Sequence, residues 1–84
     1  MKKIKMFMFD ECPYCRKALG FLDELKKDEK YNEIEIEKIN EKKHPEVAEQ
    51  YDYYYVPTFY IDEVKVHEGA ASFEQIKEVL DKAL

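Results

Sequence analysis

The chain has no long apolar run. Its strongest, Met6–Phe9, lies behind Lys2, Lys3 and Lys5. It is far too short for a membrane span or the core of a secretory leader. Glycine and proline are also scarce, at two and three residues, and no linker, repeat or low-complexity tract is present. Basic residues are outnumbered, with 14 Lys and Arg against 19 Asp and Glu and a formal net charge of −5. A phosphate backbone would be repelled, and no basic stripe interrupts the mixed charges, so nucleic acid is not expected as a partner. Cysteine is limited to Cys12 and Cys15. A bridge between them would close a tiny loop and constrain the unfolded chain little, so the pair is no structural staple.

What remains is enough for one domain over residues 1–84. Hydrophobic residues make up 45 % of the chain, including seven Tyr and five Phe, and charged residues 39 %. The average charged share is roughly 25 %, so the expectation is a compact monomer with a dense ionic surface and a cytoplasmic location. In that compartment a close cysteine pair belongs to catalysis or metal binding.

The order of elements follows from periodicity. Ile4–Phe9 is nearly all apolar, as suits a strand covered on both faces. Pro13 fits the first turn of a helix, where its missing N–H costs nothing. Cys15, Ala18, Leu19, Leu22 and Leu25 then recur at helical spacing, fading near Asp28–Asn32. Glu33–Glu37 alternates as a strand with one charged face, the mark of a protected sheet edge. Pro45 opens a short helix through Val47, Ala48 and Tyr51. Thr58–Ile61 and Val64–Val66 flank a tight turn at Asp62-Glu63 that lacks the usual glycine. Ser72 and Gln75 form a capping box ahead of Phe73, Ile76, Val79, Leu80 and Ala83. The result is an α/β fold, β-α-β-α-β-β-α, with four strands and three helices. The two β-α-β crossovers call for parallel pairing and the final hairpin for an antiparallel strand. Sites in such open sheets lie at the carboxyl ends of strands, and the first such end immediately precedes Cys12.

Placed just outside a helix, the Cys12 sulfur faces unsatisfied N–H groups and the positive end of the helix dipole, which favour thiolate over thiol. Arg16 and Lys17 act in the same direction; Asp10 and Glu11 oppose it, but as solvated charges they yield to direct N–H contacts. Cys15 lies one turn further in on the apolar face, less exposed and less acidic. That asymmetry divides the work: Cys12 attacks a disulfide and Cys15 resolves the mixed disulfide. Two inert thiols on a core helix would not need Pro13 to set Cys12 at the helix start. Structural zinc requires four ligands, and only His44 and His67 could supply nitrogens, without a second close-spaced pair.

Cys12-Pro13-Tyr14-Cys15 after a first strand, with Val56-Pro57-Thr58 opening a later one, resembles the glutaredoxins of the thioredoxin superfamily over essentially the whole chain. The resemblance implies a thioredoxin-like fold, a four-stranded mixed sheet flanked by three helices, and dithiol–disulfide exchange. It makes Cys12 the nucleophile, Cys15 the resolving thiol, and Pro57 a cis-proline whose neighbour Val56 offers its backbone to a substrate strand. Pro13, Tyr14, Tyr55 and Gly69 complete the implied substrate-binding set. No bound cofactor is expected; the working group is a redox-active Cys12–Cys15 disulfide. The family also has a basic residue three positions before the first cysteine and a Gly-Gly pair before the last helix, where this chain has Phe9 and Gly69-Ala70. The expected substrates are protein or small-molecule disulfides; with Asp10 and Glu11 at the mouth a protein disulfide suits the site better than glutathione, which is the less favoured reductant beside an NADPH-dependent thioredoxin-type reductase. Some glutaredoxins hold an iron–sulfur cluster between two chains with the first cysteine and glutathione, which is the alternative function. Asp10, Asp52 and Glu68 are candidates by position for an acid that relays protons to Cys15. Tyr14 should face solvent between the sulfurs, and the tyrosines at 51, 53, 54 and 55 can line a substrate chain or cover the sheet.

Overall fold

A computed structural model describes all 84 residues, Met1–Leu84. Four strands, β1 (Ile4–Met8), β2 (Ile36–Asn40), β3 (Thr58–Ile61) and β4 (Val64–Glu68), alternate with helices α1 (Pro13–Leu25), α2 (Pro45–Ala48) and α3 (Phe73–Ala83) in the expected order. The sheet runs β2-β1-β3-β4. β1 pairs parallel with β2, whereas β1–β3 and β3–β4 are antiparallel.

The second expected crossover is therefore not a parallel one. β3 begins at the same end of the sheet where β2 finishes, so the connection never has to traverse the sheet's length. A four-residue helix is enough for it. This geometry has a consequence for the site, because the ends of β1, β2 and β4 and the start of β3 all gather on one rim.

Side chains alternate across the pleat. Ile4, Met6 and Met8 of β1 and Phe59 and Ile61 of β3 face α1 and α3, forming the main core with Ala18, Leu22, Ile76 and Leu80. Phe7, Ile39 and Tyr60 point to the other face and make a second, smaller cluster. That face is covered mainly by tyrosines: the rings of Tyr51 and Tyr53 lie 4.8 and 5.0 Å from Phe7, and Tyr60 lies edge-on to Phe7 at 5.8 Å. Their polar ends turn outward to Lys5, Glu41 and the Asp52 carbonyl.

Three local readings shift. β2 starts at Ile36 rather than Glu33, because Ile34 is fully buried in the main core before pairing begins. β1 ends at Met8, one residue early. α2 stops at Ala48, where Gln50 and Tyr51 close tighter i to i−3 bonds onto Val47 and Ala48; this swings Tyr51 off the helix and over Phe7. The capping box at Ser72 forms in both directions, through Gln75 N–H to Ser72 Oγ at 3.2 Å and Ser72 N–H to Gln75 Oε1 at 2.9 Å. The β3–β4 turn holds Asp62 and Glu63 at φ of 50° and 66°. These left-handed values suit a right-twisted hairpin and would ordinarily favour glycine or asparagine. Here Glu63 also bonds Lys5 at 3.0 Å, linking the turn to β1.

Candidate functional site

The chain leaves β1, turns with Cys12 N–H bonded to Phe9 O at 3.3 Å, and enters α1. Cys12 is the N-cap residue, in extended backbone, with Pro13 in the first turn. Its sulfur accepts the Cys15 N–H at 3.4 Å, the contact expected where helix N–H groups lack intrahelical partners. No acidic residue occupies the first helical turn. Cys12 is 5 % exposed and Cys15 0 %, and both are free thiols. Burial, the largest influence, pushes the Cys15 thiol up to about 12; the neighbouring Cys12 sulfur and Glu41 charge add to this, and a backbone contact from Phe9 opposes it. Cys15 is thus held as a thiol at neutral pH, as the helical position predicts. Tyr14, between the two, is 58 % exposed.

The second wall comes from the approach to β3. The Val56–Pro57 peptide is cis, and Pro57 is buried with its carbonyl accepting the Gly69 N–H at 2.8 Å. Gly69 has φ of +89°, and its neighbour Tyr55 would stand only at ordinary contact distance from an added Cβ. The backbone angle, not crowding, is what calls for glycine there. His67, as the Nε2–H tautomer, bonds the Gly69 carbonyl at 3.1 Å. Val56 packs against the cluster that includes Cys12 and Cys15. Its own N–H and C=O take no hydrogen bond within the chain. Tyr55 and Tyr54 stand out from this wall at 70 % and 87 % exposure. The candidate residues Cys12, Tyr14, Cys15, Tyr55, Val56, Pro57 and Gly69 therefore belong to one rim of the sheet, with Pro13 exposed at the helix start.

The acidic mouth is not bare. Lys43 reaches Asp10 at 3.8 Å and Lys42 reaches Glu11 at 3.8 Å, while the Lys42 ammonium also sits 4.2 Å from the centre of the Phe9 ring. These are exposed pairs and each contributes little to stability, but they offset the negative charge beside the thiols. Arg16 does not join them; its Nε donates to the Asp10 carbonyl at 2.8 Å. The lysines could have been found: β1 and β2 pair with Met8 opposite Asn40, so residues two and three steps beyond each strand must be neighbours.

None of the three positional candidates is a free buried acid. Asp10 and Asp52 are exposed, and the Glu68 carboxylate is occupied by the loop backbone at Tyr54 and Tyr55. The carboxylate whose field reaches Cys15 is instead Glu41, directly after β2 and bonded by the Tyr53 hydroxyl at 2.7 Å. Burial and that carboxylate raise the Tyr53 hydroxyl above its ordinary range. No group of three or more His, Cys, Asp and Glu side chains converges on one point, and no helix is long and apolar enough to cross a membrane.

Comparison with known proteins agrees with this geometry. The family model for glutaredoxin matches residues 4–66. A probable thioredoxin of Methanothermobacter thermautotrophicus is 36 % identical over 78 residues, covering 93 % of this chain and 91 % of the relative. Among solved structures, oxidised thioredoxin from Plasmodium falciparum superposes with a TM-score of 0.75 at 24 % identity, covering 99 % of this chain and 82 % of that one. Glutaredoxin 1 from Francisella tularensis does so with a TM-score of 0.52 at 22 % identity, over 98 % and 95 % of the two chains. At those identities the structural likeness establishes the thioredoxin fold.

Proposed function

The chain belongs to the glutaredoxin family of thiol–disulfide oxidoreductases, and from that premise we propose that it reduces protein disulfides by dithiol exchange through Cys12 and Cys15. The observation that carries the reading is the pairing at the start of α1: the Cys12 sulfur caps the helix at 3.4 Å from the Cys15 N–H, while Cys15 is wholly buried one turn in.

In the first step the Cys12 thiolate attacks one sulfur of a target disulfide. The target S–S bond breaks, its other sulfur leaves as a thiolate and takes a proton from solvent, and a mixed disulfide joins Cys12 to the target. The attacking sulfur stands at the helix start, where it accepts the Cys15 N–H at 3.4 Å. Val56, with both backbone groups free, pairs with the target chain beside the sulfur, and Tyr14 and Tyr55 flank it. In the second step Cys15 loses its proton and attacks the Cys12 sulfur. The mixed disulfide breaks, the target leaves as a dithiol, and a Cys12–Cys15 disulfide remains. Two electrons from an external reductant restore the dithiol. An NADPH-dependent flavoprotein reductase fits this role. Glutathione competes for it better than Asp10 and Glu11 alone would allow, since Lys42 and Lys43 offset them.

The test is a pair of variants. Cys12→Ser should abolish reduction of a polypeptide disulfide, and Cys15→Ser should accumulate a covalent adduct with the target, seen as a mass increase on non-reducing analysis. Normal turnover by Cys12→Ser, or no adduct from Cys15→Ser under conditions where the unaltered protein turns over, would overturn the mechanism.

A further inference from the structure

Glu68 closes β4 on the rim that carries the thiols, and its carboxylate is shared between three donors. Oε2 accepts the N–H of Tyr54 at 2.6 Å and of Tyr55 at 3.0 Å. Oε1 accepts the Lys65 ammonium at 2.7 Å. Lys65 in turn reaches the Asp52 carbonyl at 3.2 Å, which the Tyr60 hydroxyl also bonds at 2.6 Å. Further along the same loop, the Tyr55 carbonyl takes the Thr58 hydroxyl at 2.5 Å, and the Pro57 carbonyl takes the Gly69 N–H at 2.8 Å. Between Asp52 and Pro57 the backbone is tied on both sides of Val56, and Val56 itself is left with neither group engaged.

We propose that Glu68 is a positioning residue for substrate recognition, holding the Tyr54–Pro57 segment so that the free backbone edge of Val56 meets an extended polypeptide beside Cys12. A carboxylate suits the task for a chemical reason. Two consecutive N–H groups converge on one acceptor, and hydrogen bonds to an ionised oxygen are shorter and stronger than those to a neutral one. The low position of the Glu68 carboxyl, at about 2, agrees, with Lys65 the larger cause and the two backbone N–H groups next. Glu68 touches no reacting atom; it acts through the loop. Its effect therefore falls on substrates that use the Val56 backbone, and spares those too small to pair with a strand. The inference rests on the dithiol reading of the site and deepens it.

The experiment compares Glu68→Ala and Glu68→Gln with the unaltered protein, using dithiothreitol as reductant. Insulin serves as the polypeptide disulfide; the small one, dithiobis(nitrobenzoate), which dithiothreitol reduces unaided, is mixed with prereduced protein freed of dithiothreitol and followed over a single turnover. For Glu68→Ala, KM for insulin should rise about tenfold with kcat little changed, the scale of losing charge-assisted hydrogen bonds. Turnover of the small disulfide should stay level, and amide exchange at Tyr54 and Tyr55 should accelerate. Glu68→Gln, which keeps an acceptor oxygen, should recover most of the insulin KM. An unchanged insulin KM in Glu68→Ala would overturn the inference. So would an equal loss on both substrates, which marks general damage rather than positioning. Inactivity of the unaltered protein on both substrates would instead overturn the dithiol reading itself, and the inference with it.

Discussion

Alkylation of the reduced protein should discriminate sharply between the two thiols. Cys15 has no exposed surface, and burial raises its thiol from an ordinary 9.0 to about 12. The sign follows from desolvation, which penalises the anion and leaves the neutral thiol in place. At a given neutral pH the thiolate fraction falls by a factor of ten with each unit of pKa, so Cys15 carries far less thiolate than a free cysteine. Only the thiolate reacts with iodoacetamide. Peptide mapping after brief treatment should therefore find the label on Cys12, with Cys15 modified only after unfolding in urea. Steric cover alone would also slow Cys15, so the pH dependence matters. In the native protein its rate should keep climbing about tenfold per pH unit beyond pH 9, where an ordinary thiol levels off. A plateau near that value, or native labelling of Cys15 as fast as in the unfolded chain, would refute the reasoning. In the proposed mechanism, this behaviour would leave Cys15 idle until Cys12 has taken a partner.

Two further predictions concern the second sheet face and the rim charges. Phe7→Ala removes a wholly buried ring packed against Tyr51, Tyr53 and Tyr60, and should cost about 3–5 kcal/mol in urea unfolding; a loss below about 1 kcal/mol would mean that face is not a packed core. Replacing Lys42 and Lys43 by Gln uncovers Asp10 and Glu11, and should slow reduction of the oxidised protein by glutathione several-fold at low salt, with the gap closing as salt screens the charges. Equal rates at low salt would show that those lysines do not shape the mouth.

Much of this arrangement was legible in the chain. The helix at Cys15, Ala18, Leu22 and Leu25 rests on a repeated apolar spacing, and the start of α3 on a capping box whose two bonds both form. The Cys12–Cys15 placement followed from one proline. The weaker readings failed where few residues had to decide. Ile34 and Ile36 alternate with glutamates, but two apolar positions cannot distinguish a strand from a turn that drops Ile34 into the core beside Tyr31. Tyr51 continues a helical spacing from Val47 and Ala48, yet its ring lies over Phe7, a contact between distant residues that no local period encodes. The lysine cover on Asp10 and Glu11 and the Glu68 contacts are likewise products of register. They required knowing that four strand ends share one rim.

The tyrosine-rich segment carries an evolutionary consequence. Tyr51 and Tyr53 are anchored, their rings on Phe7 and their hydroxyls bonded, while Tyr54 and Tyr55 project into solvent from a backbone already held by Glu68. Exchanges at exposed positions away from such anchors usually alter stability by less than about 0.5 kcal/mol. The same short stretch thus separates what must stay from what can drift. Descendants of this chain could sample new side chains at positions 54 and 55, and so new partners, without loosening the sheet on which the thiols depend.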